Sequence, residues 1–306
     1  MTPARRGDVE VVEVGGRQLA LSNVDKVLWP RAGFRKGHML DYYVRVAPAL
    51  LPHLGQRPLT LHRFPDGVDG GHWFQKDCRG HPPWLPTKAV PSVLVAGKVL
   101  DYCLVNDLPA LVWAANQGTV ELHPLLARAD DVDAPTVVAF DLDPGPPATV
   151  VDCCRVALAV RSLLDGLGLT AWPKTSGGKG LHLYVPLNTA ATYPQTKRFA
   201  RTVARFLAEE QPDRVVDRMA RSLRPGKVLV DWSQNDPTKT TVAPYSLRAT
   251  PRPTVSTPVT WDEVEAAAEA ADPAALTFEA GAVIERVERL GDLFAPVLTV
   301  RQTMPA

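Results

Sequence analysis

The sequence predicts an α+β, or mixed α/β, fold with more than one sheet. Hairpin signals recur, as in VEVVEVGGRQLALS at positions 9–22, where apolar and polar residues alternate around a Gly-Gly. Other stretches repeat their apolar residues at helical spacing. The two kinds of segment do not keep the strict strand-helix-strand rhythm of a doubly wound sheet. With 306 residues and 45% hydrophobic content the chain can bury a sizeable core, and we read residues 1–306 as one domain with a flexible tail at 1–9.

Taken in order, GHMLDYYVRVAPALLPHL from Gly37 places Leu40, Tyr43, Val44 and Ala47 on one helical face, with Pro52 near its end. RPLTLHRFPDG is a strand running into a turn, HWFQKD carries exposed aromatics, and PSVLVAGKVLDYCLVN is a second hairpin through Gly97. DLPALVWAANQGTVELHPLLARAD, positions 107–130, reads as mostly buried helix with Asp107 as N-cap and Pro109 in its first turn. PTVVAFDLDPGP is an apolar strand that ends in carboxylates, followed by an amphipathic helix, TVVDCCRVALAVRSLLDGLG, stopped by Gly166 and Gly168. LTAWPKTSGGKGLHLYVPL is a strand, a glycine turn and a strand. YPQTKRFARTVARFLAEEQPD is helical, RPGKVLVDWSQN is a turn and a short strand, and TTVAPYSLRA is extended. From Thr257 onward the pattern gives an acidic, alanine-rich helix and one terminal helix, VIERVERLGDLFAPVL.

Charged residues make up 22% of the chain and the formal net charge is +1, so any basic surface is local. One such stretch runs from Lys197 to Lys227, with nine Lys or Arg against four Asp or Glu. The four cysteines, Cys78, Cys103, Cys153 and Cys154, contain no C-x-x-C spacing, which argues against a zinc knuckle or a redox pair. They read as reduced thiols of a cytosolic protein, with Cys153 and Cys154 on a helix face and without a function. No stretch has the apolar core of a signal peptide or approaches the roughly 18 apolar residues of a membrane span. The expectation is a soluble, cytoplasmic protein with no membrane partner.

The chemistry concentrates in AFDLDPGPPATV, positions 139–150. In an extended strand residues i and i+2 share a face, so Asp141 and Asp143 project together while Leu142 turns to the core. Two carboxylates about 6–7 Å apart repel unless a cation or water intervenes, and hard oxygen donors suit magnesium or manganese. The same D-x-D before Pro-Gly also serves as a simple turn, and alone it leaves both readings open. A third carboxylate, Asp231 in KVLVDWSQN, again ends an apolar run. Three carboxylates at strand ends fit a two-cation site.

SGGKGLHLYVPL, positions 176–187, is neither a P-loop, which needs Ser or Thr after the lysine, nor the dinucleotide G-x-G-x-x-G. Its glycines allow backbone N–H groups to approach an anion, with Ser176, Lys179 and His182 adding donors and charge. A plain glycine hairpin explains the segment equally well.

Together, FDLDPGP, KTSGGKGLHLYVPL and VDWSQN followed by KTTVAPYSLRA resemble the polymerase domain of bacterial ligase D, within the archaeo-eukaryotic primase superfamily. The similarity runs from about residue 10 to residue 300. It implies a primase-polymerase fold, two sheets flanked by helices with a catalytic cleft between them. It implies metal-binding and catalytic roles for Asp141, Asp143 and Asp231. Nucleotide contacts are implied for Ser176, Lys179, His182, Arg224, Gln234 and Arg248, with His123 near the sugar. Asn23, Lys26 and Lys36 match a pocket for a DNA 5'-phosphate, and Trp73 and Phe74 match residues that stack on the template base. His62 departs from the pattern, since the family usually has lysine there, and Trp73 replaces a phenylalanine. No K-x-D-G ligase motif is present, so the chain reads as a stand-alone polymerase.

The implied function is template-dependent addition of rNTPs or dNTPs to a primer 3'-hydroxyl at short gaps or double-strand break ends, in nucleoid-associated DNA repair. The implied cofactors are two divalent cations, Mn2+ or Mg2+. The candidate partners are gapped or 3'-protruding DNA bearing a 5'-phosphate, nucleotides, Ku and a separate DNA ligase. Two rival readings remain, a manganese glycosyltransferase using D-x-D and a non-catalytic nucleic-acid binding module. The glycosyltransferase has no place for Asp231 or the lysine pocket, and the binding module would lack one of the carboxylates.

Overall fold

A computed structural model describes residues 9–92, 95 and 97–305; the tail expected at 1–9 falls almost wholly outside the described residues. Strands β1 (Val9–Val14) and β2 (Arg17–Ser22) form the first expected hairpin. Its turn places Gly15 and Gly16 at φ 54° and 76°, a region that only a residue without Cβ enters freely. A short ribbon, β3 (Val27–Trp29) and β4 (Phe34–Arg35), leads into helix α1 (Lys36–Leu54), which buries Met39, Tyr43, Val46, Leu50 and Leu54. Next come β5 (Leu59–Arg63), β6 (Trp73–Gln75), β7 (Thr87–Pro91) and β8 (Val99–Cys103). Helix α2 (Leu108–Asn116) and strand β9 (Thr119–Pro124) follow, and β9 pairs with β5 to complete a five-stranded sheet.

The second half begins with β10 (Val137–Pro144), α3 (Val150–Gly166), β11 (Trp172–Thr175) and β12 (Leu181–Pro186). It continues through α4 (Tyr193–Glu210), β13 (Val215–Val216), β14 (Val228–Asp231) and α5 (Trp261–Ala270). Helices α6 (Ala280–Leu290) and α7 (Pro296–Thr299) end the order. A second five-stranded sheet runs β11-β12-β10-β14-β13, antiparallel except for the last pair.

Each sheet has its own core. Residues of β5 and β9 pack with α1, α2 and α6, whereas β10, β12 and β14 pack with α3, α4 and α5. Along β10 the period of two sorts side chains: Val138, Phe140 and Leu142 enter the second core, while Val137 and Ala139 face a smaller cluster with Leu126, Tyr184 and Phe294. Asp141 and Asp143 continue that second face.

Several expectations need correction. The buried helix expected over 107–130 stops at Asn116; Asp107 caps it by accepting from the Ala110 N–H, and Thr119–Pro124 become β9. The cause is Gly118 at φ 76°, beyond which Thr, Val, Glu, Leu and His alternate as a strand. The second hairpin begins earlier than Pro91, with Thr87–Pro91 against Val99–Cys103; residues 93, 94 and 96 lie outside the described ones. TTVAPYSLRA forms no named strand. Instead Ala243 N–H donates to Leu122 O and Thr175 N–H donates to Thr257 O, so the 241–258 segment sews one sheet to the other. The terminal helix breaks at Gly291, φ 66°, into α6 and α7. Nor are all four cysteines thiols. Cys78 and Cys103 form a disulfide because the fold brings their Cα atoms to 5.1 Å, although they stand 25 residues apart in sequence. Cys153 and Cys154 are free, buried on α3 as expected, and burial pushes the Cys154 thiol up to about 12.

The Gly291 break presents Asp292 to α1. Its carboxylate accepts from Tyr245 Oη at 2.7 Å and from Phe294 N–H at 2.9 Å, and lies 2.9 Å from His53 Nε2. Burial opposes ionisation, but the bonds from His53 and Tyr245 outweigh it and lower the Asp292 pKa. A folded pKa below the unfolded value gives stability that is complete above the unfolded value, about 4, and drains away as pH falls through the folded one. Asp292→Asn is therefore expected to cost about 1–3 kcal/mol at pH 7. Thermal melts should show the deficit shrinking towards pH 3; a pH-independent deficit would mean that the charge is not what matters.

Candidate active site

Two cross-strand rows, one on each sheet, build the site. In the second sheet the register aligns Lys174 on β11 with His182 on β12, His182 with Asp141 on β10, and Asp141 with Asp231 on β14. Facing side chains of neighbouring strands lie within contact distance, so the row follows from register alone. His182 Nε2 lies 3.2 Å from Asp141 Oδ1, and Lys174 Nζ lies 3.1 Å from His182 Nδ1 and 2.7 Å from Ser256 Oγ. Asp231 closes β14 and caps the next turn: its Oδ1 accepts from Ser233 N–H at 2.7 Å and from Ser233 Oγ at 2.6 Å. Gln234 Nε2 spans the row, 3.3 Å from Asp141 Oδ2 and 3.1 Å from Asp231 Oδ2.

The electrostatics are those of crowded carboxylates. Burial, then Asp141 and Asp231, push the Asp143 pKa up to about 6. Burial also works against Asp141, but His182, Lys174 and Arg248 outweigh it and its pKa falls. Lys174 is wholly buried, and burial followed by Arg248 drives its pKa well below the ordinary lysine value. Sequence reasoning missed this residue. Its partners are set by register with His182 and by Ser256, 82 residues further on, neither of which the local pattern reveals.

Glycine lets the chain come close around this row. A Cβ on Gly180 would lie 2.1 Å from Leu142 O, and one on Gly145 would lie 2.1 Å from Arg224 O. Gly177, at φ 72°, passes under Arg248, whose Cγ would be 2.5 Å from an added Cβ. Ser176 Oγ accepts from the Gly178 and Gly180 N–H groups at 3.2 and 3.0 Å, so those amides hold the turn's own shape. Lys179 is exposed at its tip. Arg224 is close enough to Asp143 to oppose its pKa rise, and donates through Nη2 to Met219 O at 2.8 Å.

The first sheet supplies the opposing row: Phe74 on β6, His62 on β5 and Glu121 on β9, with His123 two residues further on. Arg248 reaches this wall, its Nε 3.3 Å from Glu121 Oε1, while its charge acts on Asp141 and Asp143. Phe74 is 56% exposed and stacks on His62 with centroids 3.8 Å apart; Trp73 is 45% exposed and lies under the Arg63 guanidinium at 5.2 Å. Glu121 is a second missed residue. In ELHP it alternates with His123 as any strand would, and nothing local reveals its partners on β5 and in the 241–258 segment.

Asn23, Lys26 and Lys36 are gathered separately, in a hollow shared with Ser22, Arg63, Asn116 and Gly118. Lys36 Nζ donates to Ser22 O at 2.6 Å and Asn116 Oδ1 at 2.7 Å, whereas Lys26 Nζ is 2.7 Å from Asp66 Oδ1. Burial, then the Lys26 and Arg63 charges, bring the Lys36 pKa down to about 8. Arg63 lines the hollow and also covers Trp73, which links this hollow to the aromatic wall.

Clustered carboxylates on one sheet, with Arg248 reaching from them to the histidines and exposed aromatics of the other, suit the handling of a nucleoside triphosphate, the chemistry of a nucleotidyltransferase. Comparison supplies the family: residues 35–294 match "LigD, primase-polymerase domain". The chain is 40% identical over 283 residues to the multifunctional non-homologous end joining protein LigD of Mycolicibacterium smegmatis, covering 92% of this chain and 36% of that protein. It is 29% identical over 275 residues to the bifunctional non-homologous end joining protein LigD of Bacillus subtilis, covering 90% of this chain and 43% of that one. The polymerase domain of Mycobacterium tuberculosis ligase D, solved in complex with DNA, matches with a TM-score of 0.85 at 37% identity, over 93% of this chain and 99% of that one. The chain belongs to the LigD primase-polymerase domain family, and it spans 36–43% of the length of these curated relatives. Among the described residues no helix is long and apolar enough to cross a membrane.

Proposed function

We propose that the chain extends a primer 3'-hydroxyl against a template in gapped or 3'-protruding DNA, using rNTPs or dNTPs, during end-joining repair. The observation that carries this reading is the row of Asp141 and Asp231 with Asp143 beside it, facing Arg248 and the exposed aromatics. A donor set made only of carboxylate oxygens fits Mg2+ or Mn2+, and burial followed by the crowding of Asp141 and Asp231 raises the Asp143 pKa, a cost that bound cations would relieve. Asp141, Asp143 and Asp231 would hold two such ions, which supply charge to the triphosphate and acidity to the attacking hydroxyl.

The chain's own residues do the rest. Gln234 and Ser233 fix the directions of the Asp141 and Asp231 oxygens before any substrate arrives. Arg248, Arg224, His182 and Lys179 present positive charge and donors to the phosphates, with Ser176 shaping the turn. Trp73 and Phe74 offer a stacking shelf worth roughly 1–3 kcal/mol per base, indifferent to sequence, as repair of arbitrary ends requires. His123 faces the nucleotide sugar. Ku and a separate ligase are the protein partners this role calls for, in the nucleoid-containing cytoplasm.

The test is one extension assay on 5'-labelled primer in gapped DNA, with rNTPs, dNTPs or a nucleotide sugar and with Mg2+ or Mn2+. Products lengthened one nucleotide at a time are expected with the triphosphates alone. Glycosyl transfer from the nucleotide sugar, or no extension with either metal, would remove the proposal.

The hollow around Lys36 gives a separate expectation. It concentrates Lys26, Lys36 and Arg63, charges suited to a terminal phosphate. Gapped DNA with a 5'-phosphate should bind about ten-fold tighter than the 5'-hydroxyl form at moderate salt. Lys26→Ala with Lys36→Ala should erase that preference, as read by fluorescence anisotropy; a preference that survives both changes places the phosphate elsewhere.

A further inference from the structure

The opposing row contains a second set of possible ligands with a different chemistry. His62, Glu121 and His123 are all buried, and one donor atom from each lies within 4.8 Å of the others. Glu121 Oε2 is the common point, 3.0 Å from His62 Nδ1 and 2.8 Å from His123 Nε2. We propose that this trio is a binding site for a borderline transition-metal ion such as zinc, separate from the aspartate set.

Four observations carry the assignment. First, the donor set is two imidazoles and one carboxylate, which favours zinc and its neighbours over magnesium, whereas the aspartate set offers oxygen alone. Second, the outer contacts are those that orient metal ligands. The far oxygen, Oε1, accepts from the Ala249 N–H at 2.9 Å and has the Arg248 charge 3.3 Å away, which leaves Oε2 directed at the histidines. His62 Nε2 lies 2.9 Å from His72 Nδ1, which fixes the ring and leaves its other nitrogen directed at Glu121. Third, both imidazoles are packed in place by Phe74, stacked on His62 and edge-on to His123 with centroids 5.5 Å apart. Fourth, the spacing suits an ion: ligand bonds near 2.1 Å in a tetrahedron separate donors by about 3.4 Å, against 3.0 and 2.8 Å from Oε2 to the two histidine nitrogens, with all three donors inside 4.8 Å.

An ion here would occupy the wall that the nucleotide sugar and template base face. Zinc loading is therefore expected to stiffen the Phe74 shelf and to compete with nucleotide at His123. The binding itself does not depend on the polymerase reading.

The experiment uses untagged full-length protein carrying Asp141→Asn, Asp143→Asn and Asp231→Asn, so that the aspartate set no longer takes up metal. After dialysis against micromolar zinc this variant should retain one equivalent, and X-ray absorption at the zinc edge should show two imidazole ligands. Adding His62→Gln should lose that equivalent. Failure of the triple variant to hold zinc, oxygen-only scattering, or full retention after His62→Gln would each overturn the assignment. Should His62→Gln fail to fold, the absorption spectrum of the triple variant decides alone. Loss of primer extension in the triple variant concerns the aspartates and leaves this result untouched.

Discussion

Asp141→Asn is expected to reduce primer extension by a factor on the order of 10^3 or more, equivalent to about 4 kcal/mol of transition-state stabilisation. The reason is its place in the row. Asp141 lies between His182 and Asp231 in the register and shares Gln234 with Asp231, so it is the carboxylate that joins the two sides of the row. Asparagine keeps the shape and removes the charge. Binding to gapped DNA should stay within about two-fold, since phosphate contacts on other residues dominate affinity. Single-turnover extension and anisotropy on the same preparation separate the two effects. Extension within ten-fold of the parent protein would mean that the row does not carry the reaction.

The second large effect needs no change of a polar side chain. Gly180→Ala places a methyl 2.1 Å from Leu142 O, backbone against backbone, where neither partner can swing away. The glycine turn must then lift from β10 beside Asp143, at a cost of about 3 kcal/mol and a fall in Tm on the order of 5–10 °C. Activity should drop with it, because the displaced turn carries Ser176 and Lys179. Gly178→Ala is the matched control: its nearest neighbour would be Ser176 Oγ at 3.6 Å, an ordinary contact, and the melt should barely move. Equal melting of the two variants would show that the close approach to Leu142 is not what the turn requires.

What the sequence could reveal depended on the range of the physics involved. The aspartates were legible because a strand's alternation is local, and so was the Asp107 cap, set by the N–H three residues on. The helix over 107–130 was overextended because the apolar content of α2 and β9 is similar and only Gly118 marks the change. Lys174 and Glu121 were invisible for another reason. Each acquires its role from partners far along the chain, Ser256 for one and Arg248 with His62 for the other. The Cys78–Cys103 pairing is likewise a product of distant register, and no spacing rule reaches it. The family resemblance implied roles for the aspartates, the phosphate turn and the lysine hollow at once, but it passed over Lys174 and Glu121, and it named His62 only as a departure with no account of what it touches.

One face of β10 has a further implication. Val137 and Ala139 are clamped among Leu126, Tyr184 and Phe294, and the same rigid ribbon carries Asp141 and Asp143 a few residues on without a joint between them. The strand behaves as a beam set in a wall, with its reactive end projecting. Errors of fit at the anchored end are passed undiminished to the carboxylates, so apolar residues that never meet substrate set the tolerance to which the cation positions are held.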